Sequence, residues 1–206
     1  MSETAAAILA GGRARRMHGL DKSALDIGGR SILSRQIEIL QALTPDVLII
    51  GDPARVHVPL SGSEGPGIRV VADRLPDAGP LGGLYTALLE TTAPYLVLVA
   101  CDMPFLALPF LQHLARRVRD ADAEVAVPRT DDRYHPLCAA YARTLLPRIQ
   151  DRLARQELEM AGLIREARRV EIGPDELARF DPEALMLCNV NTPHDYRQAC
   201  SRAIDR

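Results

Sequence analysis

Apolar residues in this chain fall into short continuous runs, separated by stretches of helical spacing. Residues 5–10 (AAAILA) form such a run, lead straight into Gly11 and Gly12, and predict a buried strand. Beyond Ser31, the residues Ile32, Leu33, Gln36, Ile37, Leu40 and Leu43 recur at helical spacing and predict a helix over 31–43. Val47–Ile50 (VLII) and the pair Val70-Val71 predict two more strands, residues 80–89 a helix, Tyr95–Ala100 (YLVLVA) a buried strand and residues 109–118 another helix. Strands that are apolar throughout, alternating with helices, indicate a largely parallel sheet covered on both faces.

Further along, residues 125–127 and 137–141 predict strands joined by the polar connection TDDRYH. Residues 148–168 predict a helix broken near Gly162; residues 170–172 and 185–187 predict short strands, and residues 194–204 a closing helix. Thr192 and Pro193 suit the N-cap and first position of that last helix. No internal repeat interrupts the rhythm, and SGSEGPG at 61–67 reads as a loop because alternation resumes after it. The expectation is a single domain over residues 1–206.

Composition narrows the class. Hydrophobic residues make up 47% and charged residues 25% of the 206 positions, as in soluble globular proteins. A net charge of −2 argues against binding nucleic acid through bulk charge, and Arg116-Arg117 and Arg168-Arg169 read as solvated helix faces. Cys101, Cys138, Cys188 and Cys200 show no CxxC spacing. Cys101 and Cys188 stand in apolar runs, which points to buried, reduced thiols of a cytoplasmic protein. The N-terminus has no basic region ahead of its apolar run, and no apolar segment approaches a membrane span.

Ligands of open parallel sheets bind beyond the carboxyl ends of the strands, so the loop after the first strand is a candidate site. It reads Gly11-Gly12-Arg13-Ala14-Arg15-Arg16. Glycines let backbone N–H groups approach a phosphate, and arginines add charge-assisted bonds. A tight turn with solvent-facing arginines is the alternative. The GxGxxG fingerprint is absent from this stretch, and a Walker loop is excluded because Leu20 and Asp21 separate Gly19 from Lys22, the only lysine in the chain.

Residues 9–22, LAGGRARRMHGLDK, are similar to the nucleotidyltransferase signature LAGG-xxx-RM-x-G-x-DK. Within that superfamily the chain resembles the molybdenum cofactor guanylyltransferases. The resemblance continues through ADRLPDAGPLGGLYTAL (72–88), VACDMPF (99–105), HPLCAAY (135–141) and NVNTPHDY (189–196). It departs at His18, where many relatives carry glycine, and after the second strand, where IIGDP stands in place of an asparagine-rich end.

The resemblance implies a three-layer α/β/α fold with a Rossmann-like, mostly parallel sheet of the nucleotide-diphospho-sugar transferase type. It implies transfer of GMP from GTP to the molybdopterin form of molybdenum cofactor, with pyrophosphate released and Mg²⁺ as cofactor. Leu9, Ala10, Gly11 and Gly12 would receive the nucleotide through their amides, Arg13 and Arg16 the pyrophosphate, and Lys22 the α-phosphate. Asp102 would hold Mg²⁺, the alternative being a cap on the helix that follows. Asp73 would contact the nucleotide, and Gly79, Gly82 and Gly83 would let backbone approach base or ribose; an N-cap and helix packing are the alternatives there. Asn189 and Asn191 would serve the metal or the acceptor, and His135 would line the acceptor pocket or simply end a strand. Transient contact with cofactor-biosynthesis proteins or molybdoenzymes is compatible with this role. Competing functions are cytidylyl transfer to the same acceptor, nucleotidyl transfer to a sugar or alcohol phosphate, and non-catalytic delivery of the cofactor.

Overall fold

The computed structural model describes residues 3–11, 16–17, 20–21, 25–56, 58 and 67–204. In chain order its strands are β1 (Thr4–Leu9), β2 (Arg16–Met17), β3 (Leu20–Asp21), β4 (Val47–Ile50), β5 (Ile68–Val71), β6 (Tyr95–Ala100), β7 (Val125–Thr130), β8 (Arg133–Tyr134), β9 (Cys138–Ala142) and β10 (Arg169–Ile172). The helices are α1 (Ile32–Leu43), α2 (Gly79–Glu90), α3 (Leu108–Asp120), α4 (Leu146–Ala154), α5 (Met160–Glu166), α6 (Pro174–Leu177) and α7 (Pro193–Ile204). The main sheet runs β10-β7-β9-β6-β1-β4-β5, with β8 paired to β7. All its neighbouring pairs are parallel except those made by β9 and β8.

Alternation along β1 shows why the sheet is covered twice. Ala6 and Ile8 face a core with Leu33, Ile37 and Leu40 of α1 and Phe110, Leu111 and Leu114 of α3. Ala5 and Ala7 face the opposite core, with Leu81, Leu84 and Leu88 of α2, Ile149 of α4 and Leu163 of α5. Three alanines are good helix formers, yet here they form the central strand, because burial on both faces outweighs local propensity. A third cluster joins Leu25, Ile27 and Ile32 to Phe105, Val190 and Ala199 of α7, closing the far end of α1 against the C-terminal helix.

Most predicted elements are present within a residue or two. The polar TDDRYH stretch is the tight hairpin between β7 and β8, with Asp131 and Asp132 at φ of 47° and 59°. Two elements differ from expectation. The 148–168 helix breaks ahead of Met160, where Gln156 takes a φ of 59°, and Gly162 lies inside α5. There the Arg152 guanidinium occupies the space a Cβ on Gly162 would need, so this glycine provides clearance and does not end the helix.

Residues 185–187 form no strand. The buried Asp181 carboxylate accepts from the amides of Leu185 (3.0 Å) and Met186 (2.7 Å), so this backbone is satisfied by a side chain and not by a ladder. Cys188 is exposed, not buried as its apolar run suggested, whereas Cys101 and Cys138 are buried; no disulfide joins any of the four cysteines. Arg168 and Arg169 are exposed as expected, but Arg169 lies on strand β10 and not on a helix face. No helix of the described residues is long and apolar enough to cross a membrane.

Candidate functional site

Parallel pairing in matched register makes four strands end at one level. Leu9 pairs with both Ala100 and Ile50, and Ile50 pairs with Val71. The residues that follow therefore line one rim: Ala10 and Gly11 after β1, Gly51 and Asp52 after β4, Asp73 beyond β5, and Cys101 and Asp102 after β6. The ladder continues one residue past the strands, through Ala10 N to Ile50 O (2.8 Å), Gly51 N to Val71 O (2.9 Å) and Cys101 N to Leu9 O (3.2 Å). The chain order reverses across β1, which is where such sheets open a crevice. Asp102 and Asp73 are three strand spacings apart along this rim, ~14 Å at the usual interstrand distance. They cannot act as a carboxylate pair, but one extended nucleotide can span both.

Near β1 the rim is built for close backbone approach. A Cβ on Gly51 would crowd the Ala10 carbonyl at 3.2 Å and Val56 Cγ2 at 3.2 Å, whereas Gly11 is exposed and has room. Asp52 is engaged locally, accepting from Ala54 N at 3.0 Å and pairing with Arg55 at 3.1 Å. Arg16 and Met17 pair antiparallel with Asp21 and Leu20, so the signature stretch doubles back as a two-stranded ribbon. Gly12, Arg13 and Lys22, three of the expected phosphate contacts, lie outside the described residues, as does the side chain of Arg16.

At the β5 end, Asp73 Oδ1 accepts from Leu75 N (3.0 Å) and from the buried Thr86 hydroxyl (3.1 Å). It forms an Asx turn that leads into the 3₁₀ turn Pro76–Ala78 and caps neither this turn nor α2. Helix α2 begins without a side-chain cap and without an acidic residue in its first turn, which leaves the positive end of its dipole at the rim. Gly82 is buried with its Cα against the Leu75 carbonyl, and Gly83 packs on the Leu9 side chain. Both glycines thus bring α2 close to β1 and to the 3₁₀ turn.

Asp102 ends the other arm. It does not cap α3, whose N-cap is Ala107 with no side-chain bond. Its Oδ1 is buried, and its backbone carbonyl accepts from Val190 N at 2.8 Å, which brings the Asn189 and Asn191 segment onto the Asp102 turn. That segment is set by a capping box: Asp195 Oδ2 accepts from Asn191 N (2.9 Å) and Thr192 N (2.8 Å), while Thr192 Oγ1 accepts from Asp195 N (3.2 Å). The amides of Asn191 and Thr192 hold the Asp195 carboxyl below its ordinary pKa.

Antiparallel β9 starts at this same edge, with Ala100 N bonded to Leu137 O at 2.9 Å, and this brings His135 to the rim. His135 Nε2 pairs with Thr130 Oγ1 at 2.6 Å. Burial, and secondarily Arg133, pushes its pKa down, so the ring is neutral at pH 7.

Among the described residues no three His, Cys, Asp or Glu side chains gather as a metal cage. A Mg²⁺ ion nonetheless takes only one or two protein carboxylates and fills its octahedron with phosphate oxygens and water. The buried, hard oxygen of Asp102 after β6 fits that donor set. Two contributors to this site were not singled out by the sequence. Thr86 is a polar residue in the middle of an apolar helix. Gln36 stands at an apolar position of α1, and a polar group on that stripe was the available signal.

The chain matches the sequence model of the MobA-like NTP transferase domain over residues 6–170. It is similar to the molybdenum cofactor guanylyltransferase of Syntrophotalea carbinolica, with 28% identity over 193 residues, 94% of this chain and 89% of the relative. A probable molybdenum cofactor guanylyltransferase of Pelotomaculum thermopropionicum is 30% identical over 199 residues, 97% of this chain and 93% of its own length. Among solved structures, molybdopterin-guanine dinucleotide biosynthesis protein A of Archaeoglobus fulgidus shares the fold, with a TM-score of 0.83 at 21% identity over 98% of this chain and 100% of that one.

Proposed function

The chain belongs to the MobA-like NTP transferase domain family, and from that premise we propose that it transfers GMP from GTP to the molybdopterin form of molybdenum cofactor. The observation that carries this reading is the bond from Val190 N to Asp102 O (2.8 Å), which joins the NVN segment to the turn next to the β1 loop. A nucleotidyl transfer needs donor phosphates and acceptor phosphate at one place, and this contact supplies adjoining surfaces for both. The names of the full-length relatives and the GPLGG segment support guanine as the base.

In this reaction an oxygen of the acceptor phosphate attacks the α-phosphorus of GTP. The bond from that phosphorus to the β-phosphate bridging oxygen breaks, and the electron pair leaves with pyrophosphate. Leu9 and Ala10 bring the chain to the triphosphate, where Gly11 and Gly12 offer their amides, because the Ala10 amide is already held by Ile50 O. Arg13 and Arg16 hold the departing pyrophosphate, and Lys22 neutralises charge growing on the α-phosphate. Asp73, with Gly82 and the start of α2, serves the nucleoside end, and His135, Asn189 and Asn191 face the acceptor. Asp102 would hold Mg²⁺, which supplies charge neutralisation across the phosphates when bound. A cytoplasmic setting is part of the proposal, supported by four cysteines of which none is in a disulfide.

The test is turnover with molybdopterin and each of GTP, CTP, ATP and UTP, followed by pyrophosphate release. GTP should be preferred; preference for CTP would assign the cytidylyl reaction instead. Lys22→Ala and Asp102→Asn should each lower kcat by about 10²-fold or more, the usual scale for a preorganised charge at the reacting centre. Undiminished pyrophosphate release by Lys22→Ala would remove that residue from the mechanism.

A further inference from the structure

Gln36 is 1% exposed, on the α1 face that otherwise presents Leu33, Ile37 and Leu40 to the core. Its Nε2 donates to Ala100 O at 2.7 Å and to Met103 O at 2.9 Å. These two carbonyls straddle Cys101 and Asp102. The amide cannot be turned over, because Oε1 would then face two carbonyl oxygens, so the donor assignment follows from the partners. As placed, Oε1 is buried with no hydrogen-bond partner among the described residues. A buried unsatisfied acceptor carries an uncompensated desolvation cost. Leucine or methionine would fill this position without that cost, so packing alone does not account for glutamine.

What the amide supplies is a pair of donors at the turn after β6. With the amide of Cys101 on Leu9 O (3.2 Å) and the carbonyl of Asp102 under Val190 N (2.8 Å), Gln36 completes the anchoring of residues 100–103 on three sides. The two carbonyls it holds would otherwise be free to rotate the intervening peptides, and with them the Asp102 carboxylate. Gln36 also sits on the helix into which the signature loop runs, so a single side chain ties the element after the phosphate loop to the carboxylate turn, 64 residues away in sequence.

We propose that Gln36 is a positioning residue that fixes the Asp102 turn in the orientation needed to hold a divalent cation between carboxylate and nucleotide phosphates. This rests on the reading that Asp102 binds such a cation. The variants are Gln36→Leu and Gln36→Met, both close in volume and lacking the two donors. The measurement is Mn²⁺ binding, followed by electron paramagnetic resonance in the presence of a non-hydrolysable GTP analogue, so that no turnover is involved. Removing an outer-sphere orienting group typically weakens metal affinity 10–100-fold. The Mn²⁺ dissociation constant should therefore rise about tenfold, with analogue binding in EDTA unchanged.

A purely structural role would lower Tm and leave the Mn²⁺ constant in place; a constant within about twofold of wild type in either folded variant would overturn the proposal. Absence of Mn²⁺ binding by the wild type would instead overturn the cation role of Asp102, and this proposal with it. The wild-type chain provides a second measurement that needs no variant. Both side-chain amide protons of Gln36, bonded and buried, should exchange slowly with D₂O, and exchange as fast as that of exposed glutamines would overturn the anchoring.

Discussion

Thr86→Val removes one oxygen from the middle of α2 and keeps the shape of the side chain. The wild-type hydroxyl is fully buried. It accepts from Arg74 N at 3.1 Å, and its single proton lies within reach of Asp73 Oδ1 (3.1 Å) and Gly82 O (3.0 Å). The carboxylate is the stronger acceptor and sets the cost. A hydrogen bond to a charged group is worth about 1.5–3 kcal/mol, here at the low end because Asp73 is only half-buried, and the orphaned Arg74 amide adds about 1 kcal/mol. The variant should lose about 2–3 kcal/mol, and for a chain of this size that lowers Tm by roughly 4–12 °C. Urea unfolding and calorimetry measure both quantities. Thr86→Ser keeps the hydroxyl and loses one methyl, for about 1 kcal/mol. Loss of less than about 0.5 kcal/mol by the valine variant, within the range of an inert surface change, would refute the argument. So would a serine variant less stable than the valine one.

Gly82→Ala would drive a Cβ into the Leu75 carbonyl, with Ala78 Cβ at 3.0 Å, and should cost about 1–3 kcal/mol by overpacking. Gly173→Ala, which meets nothing within 4 Å, should be nearly neutral in the same urea titration. Glu124→Gln tests pH dependence. Burial pushes the Glu124 carboxyl up, but the Arg168 amide (2.8 Å) and the Arg148 guanidinium (3.0 Å) outweigh it, so the folded pKa lies below the ordinary 4.5. A lowered carboxyl pKa stabilises the fold above the unfolded value, and that contribution is lost as pH falls through the folded one. The glutamine variant should thus be less stable than wild type at pH 7, with the gap narrowing below pH 4.5; a gap independent of pH in urea unfolding would exclude this linkage.

The central strands β1, β4 and β6 were legible because each is apolar on both faces, a pattern that needs no partner to be recognised. Val47–Ile50 and Tyr95–Ala100 have the predicted bounds. The failures have a common cause. Residues 185–187 are as apolar as a strand, yet the Asp181 carboxylate, four and five residues back, takes their amides. Gly162 reads as a helix breaker, yet it is demanded by Arg152 from another helix. In both cases a side chain decides what the backbone does, and a pattern of hydrophobicity carries no sign of it.

Residue type and order along the chain specified the layers and the rim, because a buried parallel strand and a glycine-rich exit leave periodic, local marks. Folding in three dimensions decided the rest. The register of four strands sets Gly11, Gly51, Asp73 and Asp102 along one edge. The reversal of β9 carries His135 to that edge, and one amide hydrogen bond brings Val190 and its flanking asparagines to Asp102. Gln36, a blemish on an apolar helix when read in one dimension, reaches across the core to the turn that carries Asp102. Hydrogen bonds between residues dozens of positions apart depend on direction and distance to within a few tenths of an ångström. Neither quantity is written in the spacing of residue types, and both emerge only when the helices close on the sheet.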